Sequence, residues 1–166
     1  MAIIEQYFLP EEAQFLASPF PAYENALGTN FPVPRLKFSA SADLAAFFYF
    51  NAHAYGSGDI TCDLYWYALN ATSNSVRWGV SLAVITPETD SQDIETKVFA
   101  TEHAWDDAHL GTTSKRVMKA TQAISNLDSV AAGDACVLRV RRIGSHGNDN
   151  LANEAGLIGV RLSYSN

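Results

Sequence analysis

An alternation of apolar and polar side chains recurs along this sequence and limits the folds open to it. Between residues 76 and 85, every second side chain, from Val76 to Val84, is apolar. Because successive side chains of a β-strand point to opposite faces, this period of two predicts a strand with one buried face. Similar patterns predict eight strands, at residues 35–39, 44–53, 60–70, 76–85, 96–105, 117–124, 136–143 and 157–164.

The connections between these strands are rich in Gly, Asn and Asp, which favour turns. Almost no segment shows the 3.6-residue period of a helix. Eight strands at this spacing predict an all-β chain, folded as an antiparallel β-sandwich of jelly-roll type. The length of 166 residues suits one such domain.

The first 34 residues differ in composition from the rest and contain five of the six prolines. Proline lacks a backbone N–H and interrupts helices and central strands. We therefore expect residues 1–34 to form an extended N-terminal arm outside the sheets, and residues 35–166 to form the jelly-roll domain.

Large apolar side chains are frequent in this arm, so it should pack against its own domain or against another subunit. Acidic residues and the absence of Lys and Arg before residue 35 suit contact with a basic surface. The candidate docking residues are Tyr7, Phe8, Leu9, Phe15, Leu16, Phe20, Tyr23 and Phe31.

The charge of the chain argues against a nucleic-acid partner. The formal net charge is −7 and the pI about 4.9, whereas phosphate binding needs a basic face. No apolar run approaches the roughly 20 residues that span a bilayer, and the N-terminus lacks the basic residues of a signal peptide. We expect a soluble protein without a membrane partner.

The two cysteines, Cys62 and Cys136, lie in apolar strand-like segments, so we expect them to be buried thiols.

Motifs of catalysis and metal binding are missing from the sequence. The densest group of potential ligands is His103, Asp106, Asp107 and His109, and the spacing of its histidines matches no standard zinc site. The oxygen-rich segment 145–150 lacks the ligand order of a calcium loop and predicts a polar hairpin turn. No carboxylate pair suited to glycoside hydrolysis is apparent. We expect no metal, no cofactor and no enzymatic activity.

A possible ligand surface lies on the strand over residues 60–70. Asp63, Tyr65 and Tyr67 share one of its faces, where aromatic rings beside a carboxylate could bind a sugar together with the loop residues His146 and Asn148. Alternatively, the two tyrosines pack under a loop or at a subunit contact.

Arginines form the second candidate surface. Arg139 and Arg141 share one face of a predicted strand, and we expect Arg161 on a neighbouring strand. Such a group could form charge contacts between subunits or bind an acidic partner. It could equally pair across strands with Asp63 or Glu102.

Several strand and turn segments look familiar, namely residues 63–68, 76–80, 127–134, 137–142 and 159–164. Together they resemble jelly-roll virion proteins of tailed bacteriophages, and are closest to capsid decoration, or cement, proteins. The resemblance covers residues 35–164. It implies a homotrimer that binds the major capsid protein on the outer capsid surface and is soluble before assembly. The resemblance assigns no binding role to any individual residue of this sequence.

Two functions from different classes follow. The first is a non-enzymatic virion structural protein that stabilises the shell through many repeated contacts. The alternative is a receptor-binding or carbohydrate-binding jelly-roll module, as in head and tail fibres. A glycan-cleaving enzyme is disfavoured by the lack of a carboxylate pair.

Overall fold

The computed structural model describes residues 2–166, and almost all of its regular structure is β-strand. A single 3-10 turn, Pro10–Glu12, is present. No helix of the described chain has the length and apolar character needed to cross a membrane. The strands are β1 (Ile3–Phe8), β2 (Ala22–Leu27), β3 (Pro32–Phe38), β4 (Asp43–Asn51), β5 (Ser57–Ala68), β6 (Ser75–Ile85), β7 (His103–Ala108), β8 (Val117–Ile124), β9 (Ala135–Ile143) and β10 (Ala155–Ser165).

The ten strands form two antiparallel sheets packed face to face. Sheet A has the order β2-β3-β10-β5-β8, and β1 pairs with the second half of β10. Sheet B has the order β4-β9-β6-β7. Successive strands from β3 onward lie in alternate sheets, except β6 and β7. This is an antiparallel sandwich of jelly-roll type, so the predicted fold class is confirmed.

The core lies between the sheets and is formed by the alternating apolar positions of their strands. Trp66 of β5 and Trp78 of β6 are fully buried, with ring centroids 6.1 Å apart. Phe38 of β3 packs edge-on against Trp78 at 5.3 Å. The apolar face that period two predicted for β6 is buried, and Gly79, Ser81 and Ala83 on its opposite face are buried as well.

The expectation that proline keeps residues 1–34 outside the sheets is wrong. β1 pairs with β10 over six residues, and β2 pairs with β3. The first three prolines, at positions 10, 19 and 21, all fall between strands. Pro32 and Pro34 lie in β3 before it reaches β10, whose pairing begins at Leu36. There β3 has a partner on one side only, so a missing N–H is tolerated. The predicted boundary at residue 34 falls inside β3.

One predicted docking residue belongs to the core instead. Phe8 is buried, and its ring lies 5.6 Å from that of Phe48 and 6.1 Å from that of Phe50. It therefore cannot serve another subunit. Phe15 is half-buried. The remaining docking candidates are exposed, namely Tyr7, Leu9, Leu16, Phe20, Tyr23 and Phe31.

The predicted strand at residues 96–105 is displaced toward the C-terminus. β7 begins only at His103, and before it the chain leaves regular pairing. Of the preceding residues, Ala100 donates its N–H to the carbonyl of Leu82 at 2.8 Å, while Phe99 and Glu102 lie over the outer face of sheet B. The alternation of apolar and polar residues before β7 therefore reflects contacts with the outer face of sheet B.

Both ends of the described chain lie side by side at the end of the β1–β10 pair. The N–H of Ala2 donates to Oδ1 of Asn166 at 2.9 Å, and the N–H of Asn166 donates to the carbonyl of Ala2 at 3.1 Å. These bonds extend the pairing of β1 with β10.

Candidate functional site

A groove with a volume of ≈ 770 Å³ crosses the outer face of sheet B, and we call it the sheet-B groove. Its floor consists of outward-facing residues of β4, β9 and β6, among them Tyr49, Val137 and Ala83. The period of two that buries Phe48 turns Phe47 and Tyr49 to this outer face. The groove thus receives aromatic side chains from a strand whose other face is core.

The first wall of the groove is the chain that follows the 3-10 turn. Gln14 forms an isolated bridge to Phe47 of β4, with N–O distances of 2.8 Å and 3.0 Å. This bridge extends sheet B beyond its edge strand. Phe15 lines the groove, and its ring stacks on that of Phe20 with centroids 5.2 Å apart.

The second wall is residues 94–99, which follow β6. Lys97 forms an ion pair with Asp128 at 2.9 Å, which holds this segment beside the sheet. The ring of Phe99 lies 5.9 Å from that of Phe47, and both residues line the groove. The walls therefore come from segments that are about 80 residues apart in sequence.

Much of the apolar surface in this groove is open to solvent. Tyr49 on the floor is 62% exposed, and Leu16 and Ile94 on the two walls are also exposed. Gln14, Glu95 and Lys97 add hydrogen-bonding groups at the rim. An apolar, aromatic concavity of this size with a few polar groups is typical of a small-molecule site.

Two arginines of β9, Arg139 and Arg141, lie outside the groove lining, on the side of Phe99. The guanidinium carbon of Arg139 lies 4.7 Å from the centroid of the Phe99 ring. Oε2 of Glu102 lies 3.3 Å from Nη2 of Arg139 and 2.7 Å from Nε of Arg141. Glu102 reaches this position over Gly79, where a Cβ would be 2.7 Å from its carboxyl carbon. Burial lowers the pKa of Arg139; nearby Glu102 opposes this, and Arg141 adds to it.

Arg161 lies in the other sheet, so the expected group of three arginines does not form. It belongs to β10 and pairs with Asp63 of β5, its Nε lying 3.0 Å from Oδ2. Glu5 of β1 binds the same guanidinium at 2.9 Å. Both arginines contact the carboxylates that the sequence left open as partners: Arg161 pairs across strands with Asp63, and Arg139 pairs with Glu102, which directly precedes β7.

The proposed surface of Asp63, Tyr65 and Tyr67 is closed. Asp63 is buried and accepts hydrogen bonds from Arg161 and from Thr121. Tyr67 is also buried and accepts a hydrogen bond from Arg35, so of the three only Tyr65 is half-exposed. This face stabilises sheet A and offers no open aromatic platform.

The structure does not bring His146 and Asn148 to that face. They lie in the exposed connection between β9 and β10, and Nδ2 of Asn148 donates to Asp106 of β7, in sheet B. The connection folds as turns, and its Asp149 is committed to an ion pair with Arg142 at 2.6 Å. That carboxylate is therefore not free to bind a cation.

The His103–His109 segment distributes its polar side chains among separate partners. His103 accepts a hydrogen bond from Ser125 N–H, and His109 accepts one from Gly111 N–H. Asp107 accepts a hydrogen bond from the indole N–H of Trp66 at 2.7 Å. Within residues 2–166, no three His, Cys, Asp or Glu side chains form a group that could hold a metal ion.

The two cysteines are buried and free, as the sequence predicted. Burial raises the pKa of Cys62 far above its ordinary value and that of Cys136 to about 12. Both thiols are thus protonated and unreactive at neutral pH.

Sequence reasoning missed the sheet-B groove. Its walls come from the N-terminal segment, which we had expected to lie outside the sheets, and from a segment expected to be a strand. One local signal was available. Phe47 and Tyr49 flank the buried Phe48 and point to the opposite face of β4, and both are aromatic. Large rings on both faces of one strand indicate that the second face is also covered or binds something.

Comparison with solved structures finds the same fold in carbohydrate-active proteins. Isomalto-dextranase of Arthrobacter globiformis T6, complexed with panose, aligns with 95% of this chain at 12% identity and a TM-score of 0.50. Exo-beta-1,3-galactanase of Phanerochaete chrysosporium with galactose aligns with 96% of it, at 12% identity and a TM-score of 0.46. Carbohydrate-binding module CBM36, in complex with calcium and xylotriose, aligns with 95%, at 12% identity and a TM-score of 0.41.

The alignments cover very different shares of the three proteins. This chain covers 23% of the isomalto-dextranase and 29% of the galactanase, but 98% of the CBM36 chain. At these identities the likeness concerns the fold alone. No protein-family model and no curated protein matches the chain.

Proposed function

We propose that this chain is a carbohydrate-binding module whose ligand occupies the sheet-B groove. The observation that carries the proposal is an aromatic groove of ≈ 770 Å³ left open across the face of a sheet. A sugar ring has an apolar face that can stack on an aromatic side chain, and hydroxyls around its edge that need hydrogen bonds. Tyr49 and Phe15 supply the first kind of contact, and Gln14, Glu95 and Lys97 can supply the second.

The number of carboxylates in the groove favours binding without cleavage. Glu95 is the one carboxylate among the described residues that line it. Glycoside hydrolysis commonly uses two carboxylates on either side of the scissile bond. The aromatic surface and the single carboxylate together support a binding role.

Variants of Tyr49 test this proposal directly. We expect Tyr49→Ala to weaken binding by about tenfold or more, since an exposed aromatic at the centre of a site usually dominates affinity. Tyr23→Ala is the matched control, because Tyr23 is an exposed tyrosine of sheet A. A glycan array followed by calorimetry on the best ligand measures both.

The ligand panel should begin with panose and isomalto-oligosaccharides, followed by galactose- and xylose-based oligosaccharides. These choices follow the ligands and names of the proteins that share the fold. Unchanged affinity of Tyr49→Ala would place the site elsewhere. Failure to bind any member of the array would contradict the carbohydrate-binding function.

A second candidate is the virion decoration protein that the sequence resemblance suggests. The observation in its favour is the exposed apolar tip of the β2–β3 hairpin, where Leu27 is 95% exposed and Phe31 is also exposed. Contiguous exposed apolar side chains often mark a protein contact. On this proposal a homotrimer binds the major capsid protein on the outer capsid surface.

The two candidates give different results in two measurements. Light scattering should give a mass near three subunits for the decoration protein, and the protein should co-sediment with capsids. Leu27→Asp/Phe31→Asp should abolish that co-sedimentation and leave glycan binding unchanged. If the protein is a monomer that binds glycans and does not bind capsids, only the carbohydrate-binding function remains.

A further inference from the structure

Arg139, which contacts the groove residue Phe99, has few partners for its charge. A guanidinium carries five N–H donors. In the described chain, those of Arg139 make one hydrogen bond, from Nη2 to Glu102 at 3.3 Å. Its Nε is unpaired but buried, so the donors open to a ligand are those of Nη1 and Nη2. Such a group has donors to spare for an anion.

The charges around Arg139 leave a local excess of positive charge. Glu102 is shared by Arg139 and Arg141, whose side chains remain 26% and 29% exposed. The next cation on this face, Arg77, has its own partner in Asp106 at 2.6 Å. The exposed Glu95 forms no ion pair with either arginine in the described chain. This excess contrasts with the net charge of −7 for the whole chain.

Phe99 connects the guanidinium of Arg139 to the groove. Its ring lies against Arg139 at 4.7 Å and also lines the groove, so a ligand that extends past Phe99 would meet the arginine. A planar guanidinium held in place can bind a carboxylate or a sulfate through two parallel hydrogen bonds.

We propose that the groove selects glycans bearing an anionic group, a carboxylate or a sulfate, and that Arg139 is the residue that binds it. This inference rests on the proposed carbohydrate-binding function. Glu102, which contacts both Arg139 and Arg141, would act as a positioning residue. Tyr49 contributes to every ligand, whereas Arg139 distinguishes the acidic ligands from the neutral ones.

Matched pairs of polysaccharides test the selection. Polygalacturonate is compared with its methyl ester, and dextran sulfate with dextran, by affinity electrophoresis of the full chain. We expect the acidic member of at least one pair to bind about tenfold more tightly, with an affinity that falls as NaCl is raised. The first pair reports on carboxylate and the second on sulfate.

Variants separate this selectivity from general charge attraction. Arg139→Gln should remove the preference, measured as the ratio of acidic to neutral affinity, while Arg139→Lys should retain part of it. Arg116→Gln is the control, because Arg116 is an exposed arginine outside the groove lining. Thermal melts confirm that each variant is folded.

Three outcomes would overturn the inference. Equal binding of the acidic and neutral members contradicts the selection of anions but leaves the carbohydrate-binding function intact. An equal loss of acidic binding in Arg116→Gln and Arg139→Gln indicates nonspecific attraction. No binding to either pair or to any glycan on the array contradicts the proposed function itself, and with it the inference.

Discussion

Arg142 and Asp149 form an ion pair from which solvent is fully excluded. Nη2 of Arg142 lies 2.6 Å from Oδ1 of Asp149, and Nε lies 2.9 Å from Oδ2. Neither side chain is exposed. The guanidinium also donates to the carbonyls of Phe38, Leu151 and Asn153. Arg142 therefore connects β9 of sheet B to β3 of sheet A and fixes the connection before β10.

Removal of Asp149 should be costly for stability. In Asp149→Ala the guanidinium of Arg142 stays buried without its counter-charge, and we expect the free energy of unfolding to fall by about 3–5 kcal/mol. Asp59→Ala is the control, because Asp59 is an exposed aspartate, and its effect should stay within about 0.5 kcal/mol. Urea denaturation measures both variants. Similar losses for the two would show that the buried pair is not important for stability.

Asp107 should give the protein a pH-dependent term in its stability. Burial raises the pKa of this carboxyl, although the hydrogen bond from Trp66 opposes the shift. A folded-state pKa above the unfolded one means that the folded protein holds the proton more tightly. Stability from this group is thus present below the unfolded pKa and decreases as the pH rises toward and through the folded pKa.

Two substitutions of Asp107 test this expectation. Asp107→Asn keeps an acceptor for Trp66 and cannot ionise, so its stability relative to wild type should increase as the pH rises from about 3.5 to 7. Asp107→Ala leaves the indole N–H buried and unpaired, and should cost about 1–3 kcal/mol. Urea denaturation across this pH range measures the difference. A constant difference between Asp107→Asn and wild type would contradict the raised pKa.

The N-terminal segment should be required for folding. Phe8→Ala leaves a cavity between the sheets beside Phe48, and we expect a loss of about 3–5 kcal/mol. Leu9→Ala changes an exposed neighbour and should cost less than about 0.5 kcal/mol. Deletion of residues 1–30, which a detached arm would tolerate, removes β1 and β2 and should prevent stable folding. A cooperative thermal unfolding transition of the deleted chain near that of wild type would contradict this.

Chelation should leave the protein unchanged. His103, Asp106, Asp107 and His109 each bind a different protein group, and none is left to share a metal ion with the others. We therefore expect the same Tm before and after treatment with EDTA, measured by differential scanning fluorimetry. A drop of several degrees that one metal restores would show a bound cation.

The sequence predicted best those strands whose alternation reflects a single buried face. β8 and β9 are of this kind, because Met118 and Val140 face the core and their neighbours are more exposed. β1 is shorter and follows the same rule, with Phe8 buried and Tyr7 exposed. It was missed because the prolines that follow it dominated the interpretation, although they lie in turns or at an edge.

The groove could not be predicted from local patterns. It depends on the bridge between Gln14 and Phe47 and on the position of Phe99 over sheet B, which are contacts between distant segments. Charge pairing was more accessible, since Glu102 and Asp63 were recognised as possible partners of the arginines. What the sequence did not reveal was that Arg139 and Arg161 lie in different sheets.

The pairing of Ala2 with Asn166 has a practical consequence for protein engineering. Because the two ends are hydrogen-bonded to each other, a linker of about four residues can join them, and the chain can be reopened elsewhere. The exposed turn at Thr72 and Ser73 is a suitable site, since it precedes β6 while the groove lies near the end of that strand. A circular permutant immobilised through these new ends would present the groove away from the support, ready for a biosensor surface.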